Sequence, residues 1–343
     1  MNSMILNRIG GLGMTTLHKF LDENMVKRSF EEASLLEKYW NCDWGNPNAY
    51  GKVRKVFVHR PGNEIHELNK ARFEPEAGAR ILRDDKGNIL SYCLSEDPLD
   101  LAKMQEQHDR MTEVLKNEGV DVIPLIEDDE LLTNNLFARD VGMVIPGGLI
   151  LARFALKFRY GETRRTLKTA AQIGMPVLAS IQGQGFVEGG SFMVFDRKTA
   201  IVGRSIRVNQ AGIDQLRAIL SWQGMELIVV DLPSSMIHLD EVFNMVDKDK
   251  ALVDPTNLPH WFLQELQQRG VKLIYTDPFD PPMTTNLLCL EPGKVLFTSL
   301  GVRTIEALEK AGVTVIAIPV DELNKMGGGI HCSSLVLQRD PVD

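Results

Sequence analysis

The sequence predicts a five-bladed α/β propeller. Three observations lead there. Five short β-branched runs recur at intervals of about fifty residues, each follows a helical pattern, and each is followed by a loop and then a hairpin pattern.

Taken in order, residues 1–50 read as a leader and a helix, and residues 51–343 as a single five-repeat catalytic domain. The opening MNSMILNRIGGLGMTTLHKF is mildly apolar, but glycines and polar residues interrupt it, leaving no signal-peptide core and no membrane span. The run VRKVFVHRPG, residues 53–62, reads as a strand without a local partner. Segments such as LAKMQEQHDRMTEVLKNEG and QAGIDQLRAILSWQG space apolar residues at three and four and end in glycine, as amphipathic helices do. The β-branched runs are VDVIPL from Val120, PVLAS from Pro176, ELIVVDL from Glu226, KLIYTDP from Lys272 and VTVIAIP from Val313. Two apolar stretches around a turn make each hairpin pattern: MVIPGGLILAR, FMVFDRKTAIVG, FNMVDKDKALVD and LLCLEPGKVLFTSL. The fifth unit offers only SSLVLQRD, so VRKVFVHRPG is expected to complete its hairpin. That would close the ring and remove exposed sheet edges.

With 44% hydrophobic and 24% charged residues, 343 residues suffice for a large core. The net charge is -8, and no basic block interleaves with aromatics, so neither nucleic acid nor membrane is an expected partner. A cytoplasmic location and a small cationic substrate fit, and a homo-oligomer is left open. Cys42, Cys93, Cys289 and Cys332 are too scattered for a zinc pattern and too few to staple the chain, so they are expected to be reduced. Without an HExxH, CxxC or EF-hand spacing, neither a metal nor another cofactor is expected.

The five loops between strand and hairpin would converge on the axis of a closed ring. They read FARD (Asp140), VEGGS (Glu188), IHLDE (His238, Asp240), MTTN (Asn286) and GGGIHC (Cys332). Taken singly, each motif has a structural reading: a surface ion pair, a turn, a helix start. Their matching places in successive repeats argue for one shared site. A thiol nucleophile needs an imidazole to move protons, and His238 can supply it to Cys332. His331 ranks lower, because neighbours along an extended segment face opposite ways. Crowded carboxylates at Asp140, Glu188 and Asp240 require a cation among them. A planar guanidinium fits that cage, and zinc is the rival.

These residues resemble the guanidine-modifying enzymes: arginine deiminases, agmatine deiminases, dimethylarginine hydrolases and arginine:glycine amidinotransferases, which share the five-bladed pentein fold. The resemblance runs from about residue 50 to 340 and is most like an arginine deiminase. It rests on YGKVRKVFVHRPGNEI, EQHDRMTEVLKNEGVDV, NNLFARD, VEGG, HLD and GGGIHC. It implies attack by Cys332 on the guanidino carbon, protonation of the leaving nitrogen by His238, and release of the amidino-thioether by an acceptor. Asp140 and Asp240 would hold the guanidinium, with Glu188 supporting His238. Asn134, Arg159 and Arg207 would meet a substrate carboxylate, and Phe137 would wall the aliphatic stem. Gly327, Gly328 and Gly329 would let the backbone pass close to the substrate.

Three departures stand out. EGGD reads EGGS with Ser191, FTRDP reads FARDV, and the helical insertion is shortened to about residues 65–100. Asp240 after His238 favours a guanidinium with little terminal substitution, since dimethylarginine hydrolases generally lack that acid. The leading reading is a hydrolase giving citrulline and ammonia from arginine or a guanidino relative. An amidinotransferase is the alternative, and a non-catalytic binding pentein a third.

Overall fold

The hairpin patterns fold as antiparallel pairs: Gly142–Ile145 with Gly148–Leu151, Phe192–Asp196 with Thr199–Arg204, Phe243–Asp247 with Lys250–Val253, and Leu288–Glu291 with Lys294–Thr298. A helix follows each pair, and a third strand then joins in parallel: Val177–Ser180, Glu226–Asp231, Lys272–Tyr275 and Thr314–Ile318. Parallel neighbours cannot be joined by a tight turn, which is why a crossover helix intervenes. Each β-branched run thus belongs to the sheet of the hairpin before it.

The computed structural model describes residues 16–21, 33–126 and 132–342. The chain divides into two compact units, residues 1–43 and 44–343. In the first, residues 16–21 and Ala33–Trp40 are helical. The second contains the sheets, and its fifth repeat is assembled from distant segments. Leu335–Arg339 runs antiparallel to Val53–Val58, which lies parallel to Asp121–Pro124 beyond the helix Leu101–Asn117. The expected partner of the last strand is therefore the one found.

A sixth sheet departs from expectation. Residues 65–100 were expected to hold a shortened helical insertion, but only Glu64–Leu68 is helical there. The rest is an antiparallel meander of Arg72–Glu74, Ala79–Arg83 and Ile89–Cys93. Its second turn explains the preference. Asp84 Oδ1 accepts from the amides of Lys86 and Asn88, at 2.9 and 2.8 Å, and Gly87 takes a φ of 82°. An Asx turn with a following glycine fixes a hairpin and opposes a helix.

The first strands of the five repeat sheets are almost wholly buried, and the helices cover the outside through apolar faces. Helix His260–Gln268 docks through Phe262, edge-on to Phe243 with ring centres 5.3 Å apart. Such a pair contributes about 1 kcal/mol beyond its buried area. Val144, Val194, Met245, Cys289 and Val336, one from each of the five sheets, border a single cavity of about 40 Å³. No helix among the described residues is long and apolar enough to cross a membrane.

Candidate active site

Each site residue sits just ahead of a first strand, where the chain makes a tight turn before entering the core. The turns are Ala138–Val141 with Asp140, Gly189–Ser191 after Glu188, and Leu239–Glu241 after His238. Asn286 precedes the strand Leu288–Glu291, and Cys332 precedes Leu335–Arg339. The catalytic candidates Cys332, His238, Glu188, Asp140 and Asp240 are buried, as are Asn286, Asn134, Arg159 and Arg207.

Their mutual geometry joins the loops into one cluster. His238 Nε2 meets Glu188 Oε2 at 2.9 Å, and Nδ1 lies 3.6 Å from Asp140 Oδ1. Cys332 Sγ lies 4.0 Å from Asp240 Oδ2 and accepts a hydrogen bond from Asn286 Nδ2 at 3.1 Å. Asn286 Oδ1 also accepts from the Cys332 amide at 3.1 Å, so one side chain grips both ends of the nucleophile. The sequence reading placed Asn286 in a matching loop but passed over it because it cannot ionise. Its repeat position was the signal.

Two glycines make the close approaches geometrically allowed. A Cβ on Gly190 would stand 2.7 Å from Asp140 Oδ1 and 2.9 Å from His238 Nδ1, inside contact distance of both. A Cβ on Gly328 would stand 2.3 Å from the Phe137 ring, which packs in the same core cluster as Cys332. Of residues 327–329, only Gly327 needs a left-handed backbone, with φ 89°. The other two are close-packing glycines.

Ser191 now has a physical account. Its hydroxyl donates to the Ile237 carbonyl at 3.4 Å, joined by Ser205 at 2.5 Å, fixing the residue before His238. A carboxylate there would face a carbonyl oxygen with nothing to donate.

The ground for ranking His331 below His238 does not hold: the segment is not extended, and His331 reaches Asp240 Oδ2, the same oxygen that Cys332 Sγ approaches. Residues 330–333 form a turn, closed by Ser333 N to Gly329 O at 3.1 Å and continued by Ser334 N to His331 O at 3.1 Å. His331 Nδ1 meets Asp240 Oδ2 at 2.7 Å.

The arginines are committed to acids. Arg159 forks onto Glu162 at 2.9 and 2.8 Å and reaches Asp140 Oδ2 at 2.7 Å, while its guanidinium stacks 4.5 Å above Phe154. Arg207 meets Glu188 at 3.1 Å and the Tyr92 hydroxyl at 2.9 Å, leaving its Nε without a partner among the described residues. Ser91, beside Tyr92 on the meander, donates to Asn134 Oδ1 at 2.9 Å. Glu162, Ser91 and Tyr92 carried no motif in the sequence.

Charge balance sets the protonation states. Burial would lower His238, but Asp140, Glu188 and Asp240 outweigh it and raise the imidazole to about 9. Burial also opposes the ionised form of Glu188, yet His238 and the arginines hold its carboxyl below the usual range. Cys332 is pushed well up by burial first, and then by the fields of Asp240 and Asp140. The resting pair is therefore an imidazolium and a neutral thiol.

Asp140 Oδ1 and Asp240 Oδ1 are buried with no hydrogen-bond partner among the described residues. The His238 ring lies 3.6 Å from Asp140 Oδ1, so that oxygen has an opposite charge nearby but no hydrogen bond, and both oxygens keep accepting capacity that a donor would fill. Asp140, Glu188 and His238 also offer ligand atoms within 4.8 Å of one another. A metal needs neutral imidazole, whereas His238 is held protonated and the two carboxylates already carry arginines.

Comparison with known proteins places this cluster in context. By structure, the chain is similar to DDAH from Pseudomonas aeruginosa in complex with citrulline, with 22% identity, a TM-score of 0.67, and 83% of this chain and 99% of that chain covered. The N-terminal domain of ArgZ, an arginine dihydrolase from the cyanobacterial ornithine-ammonia cycle, gives 20% identity, a TM-score of 0.68 and coverage of 84% and 98%. SxtG, an amidinotransferase from Microseira wollei, gives 18% identity, a TM-score of 0.65 and coverage of 88% and 98%. These likenesses establish the α/β pentein fold. By sequence, residues 94–337 match the family described as N,N dimethylarginine dimethylhydrolase, eukaryotic. The expected likeness to guanidine-modifying enzymes thus holds, with the dimethylarginine branch matched in place of the arginine deiminase branch. With more than two thirds of its length matched, the chain belongs to the N,N dimethylarginine dimethylhydrolase family, within the guanidine-modifying pentein superfamily.

Proposed function

We propose that the unit from residue 44 to 343 is a five-bladed ring that hydrolyses a terminal C-N bond of a guanidino compound through a covalent Cys332 intermediate, with arginine as the default substrate. The cavity bordered by one strand from each of five sheets supports the ring. The observation carrying the function is the pair of unpartnered oxygens, Asp140 Oδ1 and Asp240 Oδ1, with Cys332 Sγ 4.0 Å from the second acid. A guanidinium donates N-H groups in a plane, and both oxygens would accept them. A dimethylated nitrogen has no N-H to give, so one oxygen without a hydrogen bond on each acid favours arginine over asymmetric dimethylarginine.

The substrate also completes the nucleophile. Its positive charge offsets the fields of Asp140 and Asp240, which raise the Cys332 thiol, so the thiolate is favoured once the cation is bound. The thiol proton is released to solvent as the cation binds, the thiolate adds to the guanidino carbon, His238 gives its proton to the departing nitrogen, and ammonia leaves. The neutral imidazole then takes a proton from water, which adds to the amidino-thioether carbon. Expulsion of the thiolate yields citrulline. Glu188 keeps the imidazole oriented and stabilises its charged form. Arg159 acts by holding Asp140. Arg207, with its spare Nε and Tyr92 beside it, is the stronger candidate for a substrate carboxylate.

Incubation of the purified protein with arginine or asymmetric dimethylarginine, with and without glycine, tests this reading. Ammonia from arginine supports it. Dimethylamine from the methylated substrate would move the protein to the dimethylarginine reaction. Glycine-dependent ornithine would make it a transferase.

A further inference from the structure

His331, on the turn that carries Cys332, lines the cavity of about 40 Å³. A space of roughly 10–15 Å³ already accepts one water centre, so this one is large enough for a small ion. It is lined by Arg139, Arg339, His331, Asn46, Asn244 and Cys289, with apolar strand residues between them.

The two arginines are 9% and 7% exposed. Arg139 Nη2 donates to the Phe192 carbonyl. Arg339 Nη1 donates to the carbonyls of Gly51 and Cys289, at 2.6 and 2.8 Å. Nε and Nη1 of Arg139, and Nε and Nη2 of Arg339, have no acceptor among the described residues, and neither guanidinium pairs with a described carboxylate within 4.0 Å. Arg139 Nε is buried without a partner among the described residues, and both arginines line the same small space.

Charge distinguishes the candidate occupants. Asp240 acts on Arg139 through its field, but Oδ2 is held by His331. Asp140, the next acid to act on Arg139, is paired with Arg159. One carboxylate facing two guanidinium groups leaves a positive charge over. Cys289 cannot balance it, because burial pushes that thiol up to about 12 and its Sγ donates to backbone carbonyls. Burial brings Arg339 down to about 10, with Cys289 opposing the shift and the neighbouring Arg139 adding to it. Water would supply acceptor oxygens but no charge, and a buried uncompensated charge is the costlier defect.

We infer that this cavity is a binding site for a small monovalent anion of the halide class, held by Arg139 and Arg339. The Arg139 amide donates to the Cys332 carbonyl at 3.0 Å, so the anion sits behind the nucleophile's turn and braces it without touching substrate.

The test is a crystal of the full chain grown with bromide as the only halide, with diffraction collected at the bromine edge. An anomalous peak within about 3.5 Å of the Arg139 and Arg339 nitrogens supports the site. Thermal unfolding in bromide against gluconate at equal ionic strength gives a second readout. The midpoint should rise by about 5 °C at hundredfold excess over Kd. The rise should vanish in Arg339→Gln and persist in Arg54→Gln, which alters an exposed arginine paired with Asp340. Water density without anomalous signal at the cavity overturns the inference, as do equal midpoints in the two salts. If Arg339→Gln does not fold, the bromide peak in the unaltered protein decides.

Discussion

At Cys332 the same two acids have opposite effects before and after substrate binds, and this yields a paired prediction. Asp240→Asn should raise the rate of thiol alkylation at pH 8, because it removes a field that holds the thiol protonated, yet lower kcat/KM for arginine by about 10²-fold. A parallel loss of both readouts would mean that Asp240 is only a structural support. Cys332→Ala should abolish turnover by at least about 10³-fold while leaving the fold intact, measured by ammonia release and circular dichroism. Gly190→Ala should cost about 10²-fold in kcat by driving Asp140 and His238 apart, with little change in thermal midpoint. The ionisable members of this cluster were legible in the sequence because the repeat marks them and their chemistry is self-announcing. Asn286, Glu162 and Tyr92 were not. Their importance lies in which atom they reach, and reach is set by packing between segments distant in sequence.

At the scale of elements, the meander Arg72–Cys93 bears on the tail of the substrate more than on the reacting carbon. Through Tyr92 it holds Arg207, and through Ser91 it holds Asn134. Tyr92→Phe should therefore raise KM for arginine several-fold with kcat nearly unchanged, and leave KM for agmatine, which has no carboxylate, as it was. Equal effects on the two substrates would separate Tyr92 from carboxylate recognition. The strands, helices and hairpins of the five repeats were readable from periodicity. The meander was misjudged as a shortened helical insertion because the reading followed resemblance there, whereas the Asp84 turn and the alternation in ILSYC carried the local signal. The antiparallel pairings were read in advance, but the parallel joining of each β-branched run to the hairpin before it was not, because periodicity gives a run a face and does not name its neighbour.

For the whole molecule, burial of charge couples stability to pH. His238 titrates at about 9 in the folded protein against an ordinary 6.5. Its contribution is therefore complete below pH 6.5 and is lost as pH rises through 9. The thermal midpoint should fall between pH 6.5 and 9.5, with a shallower slope in His238→Gln, as differential scanning calorimetry would record.

One last consequence follows from the pairing of Leu335–Arg339 with Val53–Val58. Synthesis must proceed through residue 339 before Val53–Val58 finds its antiparallel mate. Half-made chains consequently lack both that sheet and the sulfur lying three residues upstream of the strand. Such a chain cannot be an uncontrolled enzyme during synthesis, and its final zipping should be slow, since contacts of this sequence separation are the last that loop closure permits.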